Sequence, residues 1–223
     1  MQRTEEWFRQ RRGKLTASAL GQATGLVPWG SPNALAVALR KDAMPKDIDK
    51  PAAARATAGP LAWGTDNEPN GLLEYMIVSG ETVEDTGFWR HPHLDWFGGS
   101  PDGLVGTEGL VEIKCPYTRK CYEAIPPYYY CQVNALMEIT GREWCDLCVW
   151  TPSAVKTWRI RANKSAFDTL LPHYTAFWAC VCNGSKPPNP SAKLLPLVQG
   201  WIAQDSLLMD TFASPSGAFE LRT

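Results

Sequence analysis

The chain has 223 residues, 44% of them hydrophobic and 20% charged, which suits one sizeable globular core and leaves no case for two domains of equal weight. A net charge near −1 excludes a global basic field, so any contact with nucleic acid has to come from local patches. The seven cysteines are odd in number and follow a polar start rather than a secretory leader, and no apolar run reaches membrane-spanning length, so free thiols in a reducing cytoplasm are expected.

A first helix is expected over 5–10, followed by the basic residues Arg9, Arg11, Arg12 and Lys14, with Gly13 breaking the run. Thr16, Ala17 and Ser18 open a second helix through about Ala23. Their hydroxyls either cap that helix or join the arginines and free N–H groups in an anion site. Trp29 stands in a Gly- and Pro-rich loop, and Asn33 caps a helix through Arg40. Residues 41–58, rich in Pro, Ala, Lys and Asp, read as a mobile connection. Asp66 is expected to cap the next helix, with Pro69 in its first turn, where the missing N–H does no harm. Glu68, Leu72 and Tyr75 share a face of it, so Glu68 either complements the helix dipole or needs a partner or a metal.

Short antiparallel strands are expected over 81–85, 87–90, 95–98 and 104–114. A helix over 128–140 follows, with Gln132 as a polar group on an otherwise apolar stripe. Residues 145–151 and 155–161 read as a hairpin. Asn163 caps a long helix that should kink at Pro172 and stop at Gly184. From Ser185 a Pro-rich linker leads to an amphipathic piece over 194–212. The expected division is a single domain over 1–184 and a tail over 185–223 that docks on the domain, a sister subunit or another protein. Cys145 and Cys148 fall on opposite faces of their strand and the Cys180/Cys182 pair lies in a helix, so buried thiols are a better reading than a zinc site.

The stretch 100–114, SPDGLVGTEGLVEIK, carries the chemistry. Strand alternation points Glu112 and Lys114 one way and Val111 and Ile113 the other, while Asp102, ahead of the hairpin, comes alongside Glu112. Two carboxylates and the Ile113 carbonyl offer hard oxygen ligands suited to Mg²⁺, and the lysine can orient water or stabilise charge developing on a phosphate.

With Glu68, Asp102, Glu112, Lys114 and Gln132 in that order, the chain resembles the lambda-type (YqaJ-like) phage exonucleases, part of the restriction-endonuclease-like class. The likeness rests on RRGKLTAS at 11–18, LAWGTDNE at 61–68, SPDGL at 100–104, GLVEIKCPYT at 109–118 and YYCQV at 129–133. It implies an α/β (α+β) fold with a mixed central β-sheet flanked by helices. It also implies two Mg²⁺ ions (Mn²⁺ as substitute) held by Glu68, Asp102, Glu112 and the Ile113 carbonyl. Lys114 would position or activate the attacking water and Gln132 would help order it. Arg12 and Ser18 would bind a 5′-phosphate, and Leu61 would be a wedge that splits the terminal base pair. The activity implied is 5′→3′ exonuclease digestion of linear double-stranded DNA, leaving 3′ single strands for recombination. The implied partners are duplex ends, two sister copies in a homotrimer ring, and a single-strand-annealing recombinase in the cytoplasm of a bacterial host of the phage or prophage. One departure stands out. Pro28, ten residues beyond Ser18, occupies the place of the family's strand-steering arginine, so the grip falls to another residue such as Trp29. Two competing readings are a restriction-like endonuclease, which needs only the acids and the lysine, and a non-catalytic DNA-end-binding protein.

Overall fold

The aliphatic strand Gly109–Lys114 (β6) is buried along almost its whole length, as a central strand should be. A computed structural model describes residue 2 and residues 4–43 and 59–213 around it, so most of the connection expected over 41–58 lies outside the described residues. On one side β6 pairs antiparallel with Gly103–Val105 (β5) across a turn at Gly106, where φ is +52°. On the other it pairs parallel with Trp144–Thr151 (β7), Glu112 opposite Leu147. Parallel neighbours require a crossover, which the helix Pro127–Thr140 (α5) supplies. β7 turns back into Ala154–Arg161 (β8) as the expected hairpin. Val83–Glu84 (β2) and Ser206–Ala213 (β9) complete a mixed sheet of order β2-β5-β6-β7-β8-β9.

The antiparallel strands expected from 81 to 114 do not form one continuous meander. Trp89–Arg90 (β3) and Phe97–Gly99 (β4) leave for a separate sheet of order β1-β4-β3, in which Leu15–Thr16 (β1) runs parallel to β4. Gly98 permits this close approach, since an added Cβ would sit 2.5 Å from the Trp89 carbonyl oxygen.

Helices flank the large sheet on both faces. Leu110, Leu147, Val149 and Ile160 pack with α5 and Lys164–Asn183 (α6) in the larger core. Val111, Ile113, Cys148 and Trp150 face Tyr75 of Pro60–Ser79 (α4) in the smaller one. The fold class expected from the resemblance is therefore the one observed. Helix α4 begins well before Asp66 because Pro60 occupies its first turn, behind Gly59 with φ +90°, which leaves Pro69 inside the helix. The long helix α6 runs through Pro172 as one element. Glu5–Arg11 (α1) is capped by Thr4, and a 3₁₀ turn over Ala17–Ala19 leads into the short Leu20–Ala23 (α2), followed by Pro32–Ala43 (α3).

The piece 194–212 changes structure midway, from the helix Leu194–Asp205 (α7) to β9. Asp205 is the joint, since its carboxylate accepts from the hydroxyl of Tyr130 and from Asn163 Nδ2. Beyond it the backbone finds partners on β8, and Leu207, Leu208, Met209 and Phe212 remain exposed on this edge strand.

Gly71 is where α4 meets the sheet. A Cβ there would lie 2.6 Å from Ile113 Cγ2 and 3.1 Å from Trp150 Cβ. Gly71→Val is therefore expected to destabilise the protein by about 2 kcal/mol through overpacking, read as a lower denaturation midpoint at unchanged m-value.

Candidate active site

Glu112 is a carboxyl side chain only 3% exposed, so its partners decide what this region can do. Its Oε1 accepts from Lys114 Nζ at 2.6 Å, two residues along the same strand, and from Gln132 Nε2 at 2.5 Å on α5. The polar residue in the apolar stripe of α5 is thus the crossover helix's contribution to the strand it serves. Oε2 of the same carboxylate is buried with no hydrogen-bond partner. One oxygen is neutralised and the other is bare.

Asp102 lies just before β5, and its Oδ2 accepts the Ile113 N–H at 2.8 Å. Burial pushes this carboxyl well above the usual carboxylate range, and the charges of Glu112 and then Glu68 push it the same way, against the opposing pull of Lys114. Burial likewise raises the thiol of Cys115 to about 12, helped by Glu68 and Asp102. Glu68 reaches this field from α4, on the opposite side of the strand. For Lys114, burial alone would favour the neutral amine, but Glu112, Tyr129 and Asp102 outweigh it and hold the ammonium more firmly than usual. Its Nζ sits 4.9 Å from the centre of the Tyr129 ring. In this setting Lys114 is a hydrogen-bond donor to Glu112 and a positive charge held beside it.

Among the described residues, no three His, Cys, Asp or Glu side chains converge closely enough to hold a metal ion as they stand. Glu68, Asp102 and Glu112 share an electrostatic field without meeting at one point. The donor set nevertheless suits a hard divalent ion: oxygen ligands crowded by like charge, with the buried Glu112 Oε2 unsatisfied. Ile113 takes part through its N–H, while its side chain packs against α4.

The other expected residues fall in different places. Arg12 and Ser18 are exposed. Arg11, one position earlier, is the arginine that enters the site. Burial lowers its pKa, and the charge of Glu112 partly restores it. Its guanidinium lies 4.0 Å above the Trp7 ring, and Trp7 Nε1 donates to Ser100 Oγ at 2.9 Å, which ties α1 to the SPDG loop. The spacing already held this answer, because in R-x-G-x-x-T-A-S the arginine stands two positions before Gly13, at Arg11. Both grounds favour Arg11 over Arg12 for the role that the family resemblance implies. Thr16 does not cap the following turn by its side chain, and its hydroxyl lies 3.2 Å from that of Ser18. Leu61 is 74% exposed on the first turn of α4. It shares a face with Glu68 two turns on, about 10 Å along the axis.

A second charged cluster lies away from these acids. A shallow cleft of about 580 Å³ is lined by Arg142, Trp144, Arg159 and Arg161 near the start of β7. Arg159 there donates twice to buried Asp146, which also accepts the Tyr75 hydroxyl. With both of its oxygens engaged, that aspartate is a structural tie.

The profile of the YqaJ-like viral recombinase domain matches residues 6–143. The chain belongs to this family. It is similar to the alkaline exonuclease LHK-Exo of Laribacter hongkongensis, with 28% identity, a TM-score of 0.64 and coverage of 90% of this chain and all of that one. A second structure of LHK-Exo, in complex with dAMP, matches equally well. A phage-related exonuclease from Haemophilus somnus shares the fold, with a TM-score of 0.54 at 12% identity over 76% of this chain and 94% of that one. An uncharacterised protein of Acanthamoeba polyphaga mimivirus is 23% identical over 163 residues, which is 65% of this chain and 28% of that protein's length. The family and these structures assign the restriction-endonuclease-like fold and support a nuclease of the phage exonuclease family.

The crowding of carboxylates has a measurable consequence. A carboxyl whose folded-state pKa is raised loses stabilising value as pH climbs through that pKa, because the folded state then carries an unfavourable charge. Asp102→Asn keeps an oxygen for the Ile113 N–H and removes the charge. In EDTA at pH 8 it is expected to be more stable than the wild type by on the order of 1 kcal/mol, with the gain shrinking as pH falls toward 4. Paired urea titrations at the two pH values check it.

Proposed function

We propose that this protein is a divalent-metal-dependent 5′→3′ exonuclease that degrades one strand of linear double-stranded DNA from 5′-phosphorylated ends. The carrying observation is Glu112, a buried carboxylate with one oxygen fixed by Lys114 and Gln132 and the other bare, beside an aspartate whose charge is disfavoured by burial and by the charges of Glu112 and Glu68. Glu68, Asp102 and Glu112 would hold the ions, with the Ile113 carbonyl as a further ligand. When bound, Mg²⁺ or Mn²⁺ neutralises charge on the scissile phosphate and makes water a stronger nucleophile.

The chain's own residues do the positioning. Lys114 presents its ammonium where charge develops on the phosphate, and Gln132 keeps Glu112 from turning away. Arg11, braced on Trp7, supplies the cation for a terminal phosphate, with Ser18 as the hydroxyl partner. Leu61 stands ahead of the acids as the wedge that parts the last base pair. A homotrimer ring and a single-strand-annealing recombinase as partner complete the proposal. A ring would gather local basic patches around DNA that one near-neutral subunit grips poorly. A non-catalytic end-binding role is disfavoured because clustered carboxylates repel phosphate. An endonuclease would leave the inward-facing Arg11 without a task.

The test is digestion of linear and closed circular duplex, with matched 5′-phosphoryl and 5′-hydroxyl ends. Mg²⁺ and Mn²⁺ should support digestion of linear DNA, EDTA and Ca²⁺ should not, and circles should survive. Lys114→Ala should lower turnover by on the order of a hundredfold. Arg11→Ala should erase the preference for 5′-phosphate while leaving the rate on 5′-hydroxyl ends near wild type, and Arg12→Ala should keep the preference. Cutting of circles would establish the endonuclease instead.

A further inference from the structure

Among the described residues, Arg119 is the one residue other than glycine with positive φ, at +55°. A side chain in the left-handed region is disfavoured, so a residue held there needs a reason. The turn that holds it follows directly on the catalytic strand, with the Arg119 N–H donating to the Pro116 carbonyl at 2.9 Å. Its exposed guanidinium lies 4.3 Å from the centre of the Trp63 ring and 5.8 Å from that of Tyr117, which is itself 48% exposed.

A guanidinium stacked on an indole has one face covered and its N–H edges directed outward, an arrangement suited to phosphate oxygens. Its place relative to the site is also defined. Trp63 lies on α4 between exposed Leu61 and Glu68, about 7 Å along the axis from the latter. Cys115, at the root of the Arg119 turn, lies in the field of Glu68 and Asp102. Arg119 therefore stands between the second turn of α4, at Trp63, and the end of the strand that carries Glu112 and Lys114.

We infer that Arg119 is a strand-binding residue whose guanidinium, racked on Trp63 by a left-handed backbone, grips an internal phosphodiester of the DNA beside the end of the catalytic strand. This rests on the nuclease reading above and extends it, because it supplies a cation on the DNA path where Pro28 offers none. The contact acts on an internal phosphate and so is indifferent to the chemistry of the 5′ end, unlike that of Arg11.

Arg119→Gly separates this role from a structural one, because glycine suits the left-handed backbone and removes only the side chain. The measurements are the melting temperature, KM and kcat on linear duplex in Mg²⁺, and duplex binding in EDTA across a salt series. The expected result is an unchanged or higher melting temperature, a KM raised about fivefold or more with kcat within about twofold, and a salt slope shallower by about one. Arg119→Lys should restore the slope and only part of the affinity, since it returns the charge without the stacked plane. An Arg119→Gly protein with wild-type KM and salt slope would overturn the inference, and a fall in melting temperature with KM unchanged would reduce Arg119 to a packing staple. A wild type that fails to digest linear duplex sinks the nuclease reading and this inference with it, whereas an active wild type with an indifferent glycine variant sinks this inference alone.

Discussion

The carboxylate of Glu112 is the charge around which the molecule is arranged. A buried, unpaired carboxylate is untenable, and removing a partner from such a pair typically costs about 3–5 kcal/mol. Its two donors come from the two elements that must be brought together to make the parallel pair: Lys114 from the strand itself and Gln132 from the crossover helix. The electrostatics of one side chain therefore help to set the relation of α5 to β6. The bare second oxygen is then a surplus of acceptor capacity that a purely structural network would have filled.

The other acids approach from different layers, and the sheet explains why they can. Alternation gives β6 an acid–lysine face toward α5 and an aliphatic face toward α4. Asp102 enters along the hairpin and is tethered to the backbone between those faces, at the Ile113 N–H. Glu68 arrives on α4, held close by the side-chain-free surface of Gly71. Repulsion among the three is the stability that this fold gives up for a polar site, a common conflict between activity and robustness.

How much could be read from the chain alone depended on how local each signal was. Glu112, Lys114 and their facing direction followed from strand alternation, and Gln132 was visible as a polar break in an apolar stripe. The mixed sheet between helices followed from the family likeness. Arg11 was obscured by a second arginine beside it, since Arg11 ends α1 and Arg12 is its C-cap, and only the motif spacing or the packing on Trp7 separates them. The start of α4 was misplaced because Asp66 is a good cap by composition, while Pro60 behind a left-handed Gly59 is a better one in context. The strand after Asp205 was hidden because SLLMDTFA has no clean period and takes its form from β8. Nothing in the sequence marks Arg119 as left-handed, since that conformation belongs to the turn and its aromatic neighbours.

The crossover from β6 through α5 to β7 and β8 has a consequence for the order in which the molecule assembles. Glu112, Lys114 and Gln132 fall within one continuous run of chain, and the contacts of β6 with β7 and of β7 with β8 are among the densest between elements. Such a unit closes comparatively short loops, whereas Arg11, Glu68 and the β9 edge must come in from far along the chain. The segment that holds the buried charge is thus suited to be the folding nucleus, with α1 and α4 docking later onto a half of the site that is already formed.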